Sequence, residues 1–398
     1  MDRLIGQEKT KHLRDLLNTD PAAAAATIKQ YLEQPNNIPL NIAVTGECGS
    51  GKSSFVNAFR GVTNKDKGAA PTGCVETTTE VTAYQHPKYP NVKLWDLPGV
   101  GTTRFTVDKY LKHVGFEKFD FFIIISDTRF KKNDVKLALE IQKMDKKFYF
   151  VRSKIDNDLR SEERSQRNFN AENYLKQIRD SCTQGLQKEG FESPQVFLIS
   201  SFELHLHDFS LLRRTLEREL PEHQRHVLLL AMSNISLDVI EKKKEAFRAS
   251  IKYYALASAA GAAVPVPGLS VAVDLPMMVY VVRQYVVGFG LDKSSLKRLA
   301  DSTGVSFDDL KAAITSELVT KEITKDLLVK LLAQLANVAA LLAAEEGARF
   351  IPILGIPAAM TLSGMATRDS LNFFLDILAK EAQRVFVRAL SVMSQNVM

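Results

Sequence analysis

Cysteine is scarce in this chain. There are three among 398 residues, and an odd number of that size excludes a disulfide-framed scaffold. Tryptophan occurs once, and no basic stripe interleaved with aromatics runs along any segment, so nucleic-acid binding is not expected. Neither sign of charge dominates. The 52 Lys and Arg against 46 Asp and Glu leave +6, an excess that permits attraction to an anionic membrane surface without demanding it. The opening Met1-Asp2-Arg3 has no apolar signal core and no glycine after the initiator methionine. Neither export nor N-myristoylation is expected, and the reducing cytoplasm is the expected compartment. What remains is ordinary for a folded chain: 45% hydrophobic and 25% charged residues, over a length that one core rarely serves.

Two kinds of pattern divide that length. Asp20-Pro21 reads as a helix start, a capping Asp with Pro at the first helical position, and residues 1–37 read as a helical segment. From residue 38 to 220 apolar runs alternate with helical spacing. The runs are Ile42-Ala43-Val44, Asn91 to Trp95, Phe119 to Ile125, Phe148 to Val151 and Val196 to Ile199, with helices over Val135 to Met144 and Ala171 to Gln187. Such alternation predicts an α/β domain with a mostly parallel sheet covered on both faces. After Pro221 the strand signal stops. Ile240, Phe247, Ile251 and Tyr254 form a helical stripe, and 221–398 reads as all-α, with the N-terminal helix packed back on it.

The chemistry sits in the α/β part. Gly46-Glu47-Cys48-Gly49-Ser50-Gly51-Lys52-Ser53 fits the phosphate-loop pattern and lies between a strand and an apolar helix, the context that the motif needs. Backbone N–H groups there converge on phosphate oxygens, aided by the helix N-terminus. Lys52 is expected to reach the β- and γ-phosphates and Ser53 to bind Mg²⁺, with Ser54 next along the loop. Asp96-Leu97-Pro98-Gly99 matches the D-x-x-G element, where Asp supports Mg²⁺ and the Gly N–H senses the γ-phosphate. Ser153-Lys154-Ile155-Asp156 resembles the N-K-x-D guanine reader with Ser in place of Asn. A carboxylate at Asp156 accepts from guanine N1–H and the exocyclic amine, which adenine does not offer on that edge. Ser200, after the last apolar run, stands where a final base-contacting loop belongs. The implied activity is binding and hydrolysis of GTP. No glutamine occurs among Val100, Gly101, Thr102, Thr103 and Arg104 to orient a water, so an isolated chain is expected to be slow.

Longer strings carry a family resemblance. GECGSGKSSFVNAFRG, AAPTGCVETTTE, WDLPGVG, DFFIIISDTRFKKNDV, FYFVRSKID, DVIEKKKEAF and GLDKSSLKRLA resemble the immunity-related, interferon-inducible GTPases with a Lys-type phosphate loop. The resemblance implies a Ras-like G domain joined to a helical domain built from both termini. It implies GTP-dependent self-association at intracellular, pathogen-containing membranes, in company with other GTPases of the family. It also assigns residues. Glu76 becomes the activating, catalytic glutamate, and Thr78 the second Mg²⁺ ligand, with Thr77 or Thr79 taking that place if the register shifts by one. Arg129, Lys131, Lys132 and Asp134 fall at a nucleotide-facing dimer contact. A regulatory binding protein with little turnover and a membrane-remodelling GTPase outside immunity stand as the other readings.

Two apolar stretches, Tyr253 to Val273 and Phe350 to Thr367, are long enough to raise the question of membrane insertion. Pro265, Pro267, Pro352 and Pro357 interrupt them, which favours hairpins buried in the helical domain. Peripheral membrane association is the accompanying expectation.

Overall fold

The computed structural model describes residues 38–73, 78, 80–99, 110, 114–128, 131–262, 269–334 and 364–395, with scattered positions between 11 and 30. Two compact units divide the chain, Asn36–Ser236 and Met1–Pro35 with Leu237–Met398. The first therefore runs past the Pro221 at which the strand signal ends.

That first unit is a six-stranded sheet. β1 (Leu40–Thr45), β2 (Thr82–Gln85), β3 (Val92–Asp96), β4 (Phe121–Ser126), β5 (Lys147–Arg152) and β6 (Val196–Leu198) lie in the order β2-β3-β1-β4-β5-β6. β2 is antiparallel to β3 and every other pairing is parallel. The central strands read as unbroken apolar runs because both faces are covered: all six residues of β4 are buried. One face holds a cluster of Ala43, Phe122, Ile124 and Phe150 with Leu137, Ile141 and Leu186 from the covering helices α2 (Lys132–Lys143) and α4 (Ala171–Lys188). Phe55 and Phe59 of α1 (Lys52–Phe59) meet Phe209 of α5 (Phe209–Glu219), the two helices that cover the opposite face. α3 (Ile155–Ser165) follows β5 directly. α6 (Glu222–Ala231) touches β1 and β3, and Gln224 donates to Asp120, whose other oxygen accepts from Asn41 N–H at the start of the sheet. That packing is why the unit extends to Ser236.

Parallel strands end on one edge. The register pairs Val44 of β1 with Asp96 of β3, and Ser126 of β4 with Arg152 of β5. The loops after β1, β3, β4 and β5 thus leave the sheet side by side, the place where ligands bind in open α/β sheets.

In the second unit α7 (Leu237–Ala262), α8 (Leu269–Gly288) and α12 (Gly364–Gln395) pack together, with α9 (Lys293–Thr303), α10 (Phe307–Ala312) and α11 (Glu317–Thr320) between α8 and α12 in sequence. The stripe read from sequence is the buried face of α7: Ile240, Phe247 and Ile251 are buried, and Phe247 meets Tyr285 and Phe289. Asp376 of α12 pairs with both Lys244 and Arg248 of α7. Asp20 accepts from Ala23 N–H at 3.0 Å, the cap expected from Asp20-Pro21. No helix among the described residues is long and apolar enough to cross a membrane. Pro265, Pro267, Pro352 and Pro357, and nearly all of Phe350 to Thr367, lie outside the described residues.

Candidate functional site

Strand β1 delivers the chain into the phosphate loop against its neighbour. A β-carbon at Gly46 would stand 2.1 Å from the Ile125 carbonyl oxygen of β4, so only glycine lets the loop start this close to the sheet. Lys52 opens α1, is 6% exposed, and donates from Nζ to the Glu47 carbonyl at 2.8 Å. Its ammonium therefore lies folded back along the loop. Ser54 is half-buried one residue further into α1.

Three segments meet at Asp96. Ser53 Oγ donates to Asp96 Oδ2 at 2.6 Å, Thr78 Oγ1 donates to the same oxygen at 3.1 Å, and the two hydroxyls are 3.4 Å apart. Asp96 is fully buried, and its Oδ1 has no hydrogen-bond partner among the described residues. Burial raises its carboxyl above the ordinary range, offset in part by the Ser53 hydrogen bond and the Lys52 charge. A buried acid short of partners beside two hydroxyls is an oxygen-donor set that fits a hard dication such as Mg²⁺. Gly99, three residues on, lies against the phosphate loop: a β-carbon there would come within 2.9 Å of Cys48 N.

The S-K-x-D element is fastened to the same loop. Ser153 Oγ donates to the Ser50 carbonyl at 2.6 Å, filling with one hydroxyl the bridge that its position demands. Lys154 adopts the left-handed conformation at φ 57°, an arrangement that costs a non-glycine residue about 1 kcal/mol. Its ammonium anchors it by donating to Gly49 O at 2.7 Å and pairing with Asp127 at 2.8 Å. Asp156 follows in the first turn of α3 and is 6% exposed. Ser200 is fully buried, and its hydroxyl accepts from Phe202 N–H and Glu203 N–H, so it builds the turn of the last loop.

Of the residues placed at a dimer contact, Lys132 is exposed at the start of α2. Asp134 is 1% exposed and accepts from Lys131 N–H, capping α2 rather than facing outward. Its carboxylate is thus engaged within its own chain, at the start of α2. Lys131 Nζ is taken by Glu47 Oε2 at 2.6 Å. Glu76, Arg129, Thr77 and Thr79 lie outside the described residues. Asp127 and Asn133 escaped the sequence reading. The position of Asp127, directly after the buried strand Phe121–Ser126, was the available signal.

A phosphate loop after β1, a buried D-x-x-G acid ending β3 and the S-K-x-D Asp after β5, on one edge of a mostly parallel sheet, define a P-loop GTPase. Comparison with known proteins narrows the class. The model of the interferon-inducible GTPase family matches residues 11–389. Interferon-inducible GTPase 5 of Rattus norvegicus is 39% identical over 390 residues, covering 97% of this chain and 84% of the relative. Interferon-gamma-inducible GTPase 10 of Mus musculus is 36% identical over 387 residues, 96% and 89% of the two chains. The T-cell-specific guanine nucleotide triphosphate-binding protein 2 of Mus musculus is 43% identical over 291 residues, 72% and 69%. The chain belongs to the interferon-inducible GTPase family, and its activity is hydrolysis of GTP.

Proposed function

We propose that the chain hydrolyses GTP in the loop cluster described above, with Mg²⁺, and that a second GTP-loaded copy accelerates it. The observation that carries the reading is the meeting of Ser53 and Thr78 hydroxyls on Asp96 Oδ2 while Oδ1 stays unpartnered among the described residues. Ser53 and Thr78 would hold the metal, and Asp96 would orient it. When bound, Mg²⁺ neutralises the charge that builds on the transferring phosphate oxygens. Lys52 swings from the Glu47 carbonyl toward the β- and γ-phosphates. Loop amides from Glu47, Cys48, Gly49, Ser50, Gly51 and Lys52 bind the remaining oxygens. Gly99 N–H reports the γ-phosphate, Asp156 reads the guanine edge, and the Lys154 stem lies along the base.

Orientation of the attacking water has to come from outside D-x-x-G, because Val100 stands where a glutamine would. Glu76 of the first switch is assigned that task, ordered when two chains meet through a self-complementary patch that includes Arg129 and Lys132. The family relationship supports a role in cell-autonomous innate immunity, with other family GTPases and intracellular membranes as partners. Phosphate release measured across a protein dilution series tests the scheme. Turnover per molecule should rise with concentration, and light scattering should rise with GTP and not with GDP. A flat specific activity over that series overturns activation by self-association.

A further inference from the structure

An acid one residue into a phosphate loop is out of place on elementary electrostatics, since it stands beside the groups that receive a triphosphate. Glu47 is such an acid. Its carboxylate is engaged within the chain: Oε2 accepts from Lys131 Nζ at 2.6 Å and Oε1 from Asn133 Nδ2 at 3.1 Å. Lys131 faces Asp127 Oδ1 at 3.9 Å, Asp127 Oδ2 takes Lys154 at 2.8 Å, and Lys154 donates to Gly49 O. Charges of alternating sign therefore leave the phosphate loop at Glu47 and return to it at Gly49. The Glu47 and Lys131 side chains are 23% and 38% exposed, so the pair is partly screened and partly shielded. The hydrogen bond to Glu47 raises the Lys131 ammonium above its ordinary value, opposed by desolvation.

We propose that Lys131 is the counter-ion of Glu47 within its own chain, cancelling the phosphate-loop carboxylate so that nucleotide binds a loop without an uncompensated acid. Lys131 and Glu47 are positioning residues on this reading, with Asn133 as the second clasp between the loop and α2. The inference rests on the phosphate loop being the nucleotide site.

The logic predicts a sign pattern that a contact between chains does not share. Losing Lys131 leaves a carboxylate facing the phosphates. Losing the carboxylate as well removes the reason for the counter-ion. The test is a double-mutant cycle on the full chain with Mg²⁺, reading GDP and GTP-analogue affinity by calorimetry below the concentration at which scattering reports assembly. Lys131→Met is expected to weaken both nucleotides about tenfold, an unpaired charge near the site being the cause. Glu47→Gln and the Glu47→Gln/Lys131→Met pair are expected within about threefold of wild type, so the single effects do not add. Lys131→Arg keeps the charge and should also stay within about threefold, which separates charge from folding damage. The Lys131→Met deficit should shrink with added salt. Wild-type affinity in Lys131→Met, or a double variant as weak as Lys131→Met alone, overturns the proposal. Lys52→Ala is the separate control: full nucleotide uptake in that variant would remove the phosphate-loop reading itself.

Discussion

Ser153 donates its hydroxyl to the Ser50 carbonyl across 2.6 Å, and with the Lys154 ammonium on Gly49 O this bond joins the S-K-x-D loop to the phosphate loop. Ser153 is 2% exposed, so Ser153→Ala leaves a buried carbonyl without its partner. The expected result is a loss of about fivefold to tenfold in affinity for GDP and GTP alike, the usual cost of a broken buried hydrogen bond. Ser153→Asn should retain most of the binding, because an amide can make the same donation. Calorimetry on the two variants checks the order.

Gly99 tests whether close approach serves recognition of the third phosphate. A methyl group there meets Cys48 N at 2.9 Å and the Cys48 α-carbon at 3.1 Å, so the second switch must retreat. Gly99→Ala is expected to lower GTP-analogue affinity about tenfold, the worth of one charge-assisted hydrogen bond, with GDP affinity little changed. Equal losses for the two nucleotides would show that Gly99 only shapes the loop.

Asp156 is the proposed purine selector. Asp156→Asn keeps the volume and removes the charged double acceptor. The preference for guanosine over adenosine nucleotides is expected to fall by about a hundredfold, within the range for sites that hydrogen-bond a specific polar edge. Competition binding against a fluorescent guanine nucleotide gives the ratio. An unchanged preference would remove Asp156 from the base-reading role.

Asp134 makes stability depend on pH. Burial lifts its carboxyl to about 6, against a partial offset from the Lys131 N–H and Ser126 hydrogen bonds. The folded value exceeds the unfolded one, so the folded chain holds this proton more tightly. That contribution is complete below the unfolded value and is lost as pH rises through about 6. Asp134→Asn should flatten the pH dependence of stability over that window, by an amount on the order of 3 kcal/mol at most. Paired thermal melts of wild type and variant across the window measure the difference.

The parts of the fold carried by long apolar runs were legible in sequence. The runs around Val44, Leu94, Ile123, Phe150 and Phe197 became β1 and β3 to β6 because both faces of those strands are covered. Thr82–Gln85 was not legible as β2: it is four residues long, lies at the sheet edge and alternates between half-buried and exposed. The site divides in the same way. Motifs with fixed spacing placed Lys52, Ser53, Asp96 and Asp156, since backbone geometry alone brings them to one edge. The environment of Lys131 and Asp134 depends on Glu47, which lies 84 residues before Lys131, and on the burial of the α2 cap. Local charge pattern carries no information about such partners.

The course of α6 has a practical meaning for anyone dividing this protein. A recombinant GTPase fragment ended at Pro221 would shed Val227 and Leu228, both sealed from water in the intact chain, and strip the cover from the outer ends of β1 and β3. Greasy β-surface laid bare in that way invites aggregation. Enzyme kinetics on so short a piece would describe a damaged molecule, whereas a cut after Ser236 keeps the sheet clothed.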